Sequence, residues 1–293
     1  MVLGLGYLLV VVVHAFLYYR VNANIIRVAP FNIASALLVI VAGLLPGPDL
    51  ATYLLWLAAL AVQLGSPLIV HPAGLFQLRS AHFVERHSAL LIVAIGESVA
   101  AVGIGVARPL SRPGGVDWSL LAIAVLGLAV AAALWWIAFG SGDDERATQA
   151  LTRAGRTRRP ALALSAFFYG FIPLLLGLVG LAAGVLMGVT DVGSTRGSIG
   201  QSAVLACGAA LFLGGNAAIR RHLRITPARF RVVAAVLALA TIPIGAVAGL
   251  DVQLVIVALI LVLPLLTEAW LAADPPEGSG SGDRAPAMPG AAG

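Results

Sequence analysis

The chain has 293 residues, of which 60% are hydrophobic and only 11% charged, at a mean hydropathy of +1.00. Soluble domains carry about 25% charged residues, so this composition excludes a soluble globular protein, and the lack of ~10-residue alternating segments argues against a transmembrane β-barrel. The net charge of +5 comes from 18 arginines without a lysine, placed between apolar runs. There they would meet anionic lipid headgroups, so the basic balance does not point to nucleic acid.

Apolar runs near the ~20 residues that cross a hydrocarbon core as helix predict an all-α, polytopic transmembrane helical bundle of about nine spans. In chain order these are 1–19, 31–46, 50–71, 88–107, 117–140, 161–189, 199–219, 230–249 and 252–273. The first has no positive charge before it and no small-x-small site after it, so it reads as a retained span and not as a cleaved leader. The second run is short, and the last two are separated only by Gly249, Leu250 and Asp251, so eight spans is the alternative count. Tyr18, Tyr19, Trp135 and Trp136 fall near span ends and read as interfacial belt residues.

The longest polar stretch, 140–160, begins with Asp143, Asp144 and Glu145 and ends with arginines. With few large apolar residues to bury, it reads as a solvated loop, the alternative being a short interfacial helix on anionic lipid. Gly180, Gly184 and Gly188 recur every fourth residue, which would let a neighbouring backbone approach closely and would place the sixth span inside the bundle. Cys207, the single cysteine, excludes an intrachain disulfide and reads as a small packing residue. The transmembrane domain is expected to cover 1–273, followed at 274–293 by a Gly-, Ser-, Pro- and Ala-rich tail expected to be disordered and cytoplasmic.

With nine alternating spans, fifteen arginines fall on one side and three on the other. The positive-inside rule then puts the N-terminus outside, and the C-terminus and the start of the fourth span in the cytoplasm.

That fourth span carries the most unusual chemistry. In "SAHFVERHSALLIVAIGESVAAVG" (80–103), a continuous helix from Ser80 would put His82, Arg86 and Glu97 on one face, with Glu85 and His87 flanking it. Arg86 and Glu97 would lie roughly 16 Å apart along the axis, the arginine at the interface and the glutamate near the midplane. A midplane carboxylate costs at least ~2.5 kcal/mol, so Glu97 is expected to be protonated, paired or wet. His14, Gln63, Asn216 and Glu268 are the candidate partners from other spans. Glu97 would form a proton, ion or substrate site, approached through His82, Glu85 and Arg86. The bland alternative is a structural carboxylate bonded to a hydroxyl or the backbone. His82 and Glu85 have the spacing of a ligand pair and His87 could add a third, but Arg86 stands where an inverzincin pattern needs histidine. A structural ion cluster is the stronger reading there, and no metal is expected. No G-x-S-x-G, Walker A, dinucleotide fingerprint or CxxC occurs, and no cofactor is expected.

The stretch "HFVERHSALLIVAIGES" resembles the bacterial low temperature requirement A (LtrA) family, whose signature is approximately H-F-x-E-R-x-G-L-x-x-I-x-x-L-G-E-S. His82, Phe83, Glu85, Arg86, Leu90, Ile92, Gly96, Glu97 and Ser98 match it, and the likeness continues through "ALWWIAF" (133–139) and "LFLGGNAAIRR" (211–221). His87 and Ser88 replace the family's usual aromatic residue and glycine. Members also begin with an acidic, Phe-rich span of the type L-E-L-F-F-D-L-V-F-V-F that this sequence lacks, so family N-terminal spans are expected to be missing here. The resemblance implies the membrane architecture and weight on His82, Glu85, Arg86 and Glu97, but no reaction.

The functional expectation is a transporter- or channel-like bundle that moves a small solute or ion. A membrane-embedded enzyme acting on a lipid or isoprenoid phosphate is the first alternative, and a non-transporting scaffold linked to growth at low temperature is the second.

Overall fold

The computed structural model describes residues 2–18, 23–47, 49–70, 78–110, 118–190 and 197–273. The expected tail at 274–293 and Tyr19 lie outside the described residues, as does the side chain of Tyr18. The structure is all-α, with no strand among the described residues. Eight helical stretches are long and apolar enough to cross a membrane, and a ninth apolar helix, Val2–Leu17, is shorter. The chain divides into two compact units, Met1–Leu78 and Arg79–Gly293.

The first unit holds α1 (Val2–Tyr18), α2 (Ala23–Leu44) and α3 (Leu50–Ile69), with α2 packed against both neighbours. The sequence reading began the second span at residue 31. The helix instead begins at Ala23 and runs through Pro30, its eighth residue, which forgoes one backbone bond without ending the helix. Small side chains make the seam: Ala36, Ala42 and Ala59 are buried, and the Ser35 hydroxyl donates to the Ala59 carbonyl (3.1 Å). Asp49 caps α3 by accepting from the Thr52 backbone N–H (2.9 Å). That bond, and then the Thr52 hydroxyl, hold its carboxyl below the ordinary 3.8. The cap is therefore in place above the ordinary value and is lost as pH falls through the lowered one.

The second unit holds α4 (Ser80–Leu110), α5 (Trp118–Phe139), α6 (Asp143–Arg153), α7 (Gly155–Ala163), a π-helical turn (Leu164–Tyr169), α8 (Phe171–Thr190), α9 (Ile199–Leu223), α10 (Arg229–Ala240), α11 (Ile242–Ala248) and α12 (Leu250–Ala273). Its core is largely aliphatic, with Leu134, Ile137, Leu174, Leu205 and Leu261, and the aromatic Phe212, at 2% exposure or less. Helices α8 and α9 form its closest pair. A Cβ at Gly177 would stand 2.3 Å from the Phe212 nitrogen, and one at Gly180 would stand 3.0 Å from the Gly208 Cα. The predicted glycine seam is thus real at Gly180 and Gly184, whereas a Cβ at Gly188 would meet only Leu250, at 4.0 Å. Gly177, Gly208 and Gly215 complete the seam and were not singled out in the sequence.

Two expectations change and one open count is resolved. The stretch 140–160 is not a loop but two helices joined at Gly155, which takes a positive φ of 69°. Three acids in the first turn of α6 favour it through the helix dipole, and buried Ala147 and Leu151 anchor it. Cys207 is exposed, so it is not a packing residue. The last two spans are separate helices. Gly249, at φ 100°, makes the reversal that only glycine takes without strain, which resolves the eight-or-nine ambiguity at that point in favour of two elements. Before that reversal the chain breaks between α10 and α11 at Thr241, whose hydroxyl accepts from the buried Gln253 Nε2 (3.0 Å). The same amide donates to the Ser202 carbonyl (2.9 Å) and ties α12 to α9.

Candidate functional site

The C-terminal ends of α5, α9 and α12 and the N-terminal ends of α4, α6, α8 and α10 gather at one end of the second unit, and a network of ionic side chains closes it. Arg220, on the last turns of α9, is 1% exposed. Its Nε and Nη2 donate to Oδ2 and Oδ1 of Asp143 (2.6 and 2.9 Å), a bidentate pair suited to the planar guanidinium. Its Nη1 and Nη2 also reach Glu268 on α12 (2.7 and 3.2 Å), with further bonds to the Pro227 carbonyl (2.8 Å) and the Ser141 hydroxyl (2.6 Å). Arg231, fully buried at the start of α10, donates to Glu268 (3.1 and 3.2 Å), to the Ile137 carbonyl (3.1 Å) and to the Asn216 side-chain oxygen. Two buried guanidiniums face two carboxylates, so the buried charges balance, and the exposed Arg146 stands only at 4.0 Å from Asp143. The network's donors are paired, which is the condition under which buried charge is tolerated.

Beside this network, α4, α6, α8 and α9 enclose a cavity of about 50 Å³ walled by His87, Ser88, Asp143, Asp144, Asn216 and Arg220. That is space for ordered water with several polar partners. The Ser88 hydroxyl donates to Asp144 (2.9 Å). His87 Nδ1 lies 2.8 Å from the Phe83 carbonyl; a carbonyl only accepts, so Nδ1 carries the hydrogen. The imidazole packs among Phe83, Phe167 and Phe171, with centroids 4.4, 5.0 and 5.1 Å away. Phe167 belongs to the π-helical turn, an irregularity that recurs at functional sites.

The residues singled out in the sequence divide between the two faces of α4, which is one continuous helix from Ser80. Val84, Leu91, Ile95 and Val102 form its buried stripe, spaced by 7, 4 and 7 residues. By the 100° advance per residue, His82, Arg86 and Glu97 lie almost diametrically opposite that stripe. All three are exposed, as is Glu85, whose carboxylate approaches His82 Nδ1 at 3.6 Å. Glu97 does stand near the middle of the helix, but the described residues do not enclose it. Asn216 and Glu268 partner Arg231 and Arg220 instead of Glu97. His14 and Gln63 belong to the first unit. There His14 is exposed on α1, and Gln63 accepts from the Tyr7 hydroxyl (2.8 Å). Among the belt candidates, Trp135 and Trp136 are exposed on α5 and pack edge to face.

Sequence reasoning missed Ser141, Asp143, Arg220 and Arg231 as site residues. The available signal was Asn216 and Arg220, four residues apart and so on one helix face; the sequence-read span stopped at 219, whereas α9 continues to Leu223 and takes Arg220 inside it.

Apolar helices of spanning length in both units, those of the second closed at one end by an ionic network, define a polytopic α-helical membrane protein. The chain belongs to the bacterial low temperature requirement A protein (LtrA) family, whose model matches residues 1–266. It is also similar to an uncharacterized protein of Rhizobium meliloti (strain 1021), 26% identical over 139 residues that make up 44% of this chain and 32% of that protein. The alignment thus spans about a third of the relative's length. No solved structure matches the chain.

Proposed function

We propose that this protein is a transporter- or channel-like bundle of the prokaryotic cytoplasmic membrane, that it moves a small solute or ion, and that Glu97 is the group that binds or titrates during the cycle. The observation that carries this reading is the position of Glu97, halfway along α4 on the face turned away from the helix's own buried stripe. A carboxylate bare to hydrocarbon is unfavourable by at least ~2.5 kcal/mol, so that face works against water, an ion, a solute or another polar surface. His82, Glu85 and Arg86 continue the same exposed side toward the charged end. The enzyme alternative, in which the cluster of His82, Glu85, Arg86 and Glu97 would bind a lipid or isoprenoid phosphate, is weaker, because two carboxylates belong to that cluster and Glu85 stands 3.6 Å from His82.

Glu97→Gln keeps the shape and removes the charge. Reconstituted protein carrying it should lose ion or proton flux at least tenfold while melting within a degree or two of wild type. Glu97→Ala should melt similarly, since the side chain is exposed among the described residues. Full flux through the Gln variant would end this reading.

The orientation proposed is N-terminus outside and C-terminus cytoplasmic. It is supported by the arginines of 79–86, 146–159 and 220–231, which belong to helix ends that meet at one end of the second unit. Reporter fusions at Arg156 and Arg224 should therefore register the cytoplasm and one at Arg112 the exterior. The same compartment for 112 and 156 would refute it.

A further inference from the structure

The charged end of the second unit carries a second basic feature that the ionic network does not use. Between α6–α7 and the C-terminal turn of α9 runs a groove of about 750 Å³ walled by Arg153, Arg158, His222 and Arg224. A smaller hollow of about 380 Å³ adjoins it, walled by Arg146, Arg153 and Arg224. Arg153 and Arg224 wall both. No acidic side chain lines either among the described residues. Arg146 reaches Asp143 only at 4.0 Å, Arg153 bonds the neutral Gln149 (3.3 Å), and Arg158 and Arg224 make no ion pair among the described residues. The floor is apolar, built from Ala150, Ala161, Leu162 and Leu223. At Ser165 the groove meets the π-helical turn, within the apolar run Gly155–Val189 that forms a candidate span.

We propose that this groove binds the phosphate of an anionic membrane lipid, with Arg153 and Arg224 at its centre and Arg146 and Arg158 at its rims. Guanidiniums fit phosphate bidentately, and the convergence of Arg153, Arg158 and Arg224 with no acid in the groove lining selects negative charge. The apolar floor and the continuation into a span select a headgroup attached to glycerol and acyl chain over a phosphate free in water, which needs no apolar floor. Arg224 supplies an independent observation. It terminates α9 in the left-handed region at φ 57°, the position where glycine is the usual residue, so an arginine is held there against a backbone preference. A charge that served only solubility would have many unstrained positions.

The test uses full-length protein in a neutral detergent, titrated with phosphatidylglycerol, phosphatidylcholine or inorganic phosphate, with bound lipid counted by native mass spectrometry and melting followed in parallel. Phosphatidylglycerol should be retained and raise the melting temperature by several degrees, an effect that weakens with salt; phosphatidylcholine should do neither. The R153Q/R224Q protein should bind phosphatidylglycerol at least tenfold more weakly. R224G separates binding from folding: glycine relieves the backbone, so the lipid-free protein should melt no lower than wild type, yet its lipid affinity should fall severalfold. Equal retention of phosphatidylcholine, or undiminished phosphatidylglycerol binding by R224G and R153Q/R224Q, would overturn the site. Inorganic phosphate acting as well as the lipid would overturn the lipid assignment in favour of a soluble anion.

Discussion

Replacing Arg220 by methionine is expected to destabilise the protein by about 3–5 kcal/mol, the range for breaking a buried ion pair from one side. Methionine fills much of the volume of the arginine stem, so the loss would be mainly electrostatic. Asp143 would lose both short bonds and keep Arg231 only at 3.6 Å, and the Pro227 carbonyl would lose its donor. The network would carry one surplus negative charge in a setting 13% exposed at each carboxylate. The companion variant is Arg220→Met with Asp143→Asn, which restores neutrality. Unfolding in mixed detergent micelles should show the double variant recovering a third or more of the loss. A double variant as unstable as the single one would mean that the arginine acts through shape and not through charge balance.

The second large effect is expected at Gly208. A Cβ there would lie 2.5 Å from the Leu181 nitrogen and 2.7 Å from the Gly180 carbonyl carbon. Both are backbone atoms in a helix and cannot step aside, so Gly208→Val must push α8 and α9 apart along their seam. Overpacking of this kind costs about 1–3 kcal/mol and occasionally more; with two backbones in contact the upper end is expected. Gly214, on the same helix, has no atom within 4 Å of its would-be Cβ, and Gly214→Ala should be neutral or stabilising by up to about 1 kcal/mol. Melting of the two variants side by side checks the geometry. Gly208→Val melting with wild type would show that the helices do not approach as closely as described.

These two sites mark the limit of what the amino-acid sequence makes legible. The spans are plain because a membrane imposes length and hydrophobicity on each segment independently, and the continuous helix of 80–110 follows from its period. Two of the five seam glycines are visible from their spacing: Gly180 and Gly184 sit four apart within one span. The others need a partner, and nothing in the sequence of α8 names Gly208 of α9. The ionic network is harder still. Ser141 and Asp143 look like the start of a loop, Arg220 like an interfacial flank, and Glu268 like an acid near the end of the last span. Their separations of 48, 77 and 79 residues leave no local periodicity to read. Asn216 and Glu268 do stand out as polar residues inside spans, but a single sequence offers Glu97 as their partner as readily as an arginine. The helical character of 143–163 was obscured because composition reads exposure better than it reads backbone conformation.

The placement of Glu268 also bears on how the protein is made. Ribosomes deliver Asp143, Arg220 and Arg231 before the last helix, so for an interval the nascent bundle holds two guanidiniums against one carboxylate. During that interval the start of α10 has good reason to stay wet, and the bundle to stay loosely closed. Insertion of α12 then supplies the missing charge and, through Gln253, a second tie to α9 at a different level. A chain that ended before residue 268 would therefore leave two guanidiniums against one carboxylate at that end of the second unit.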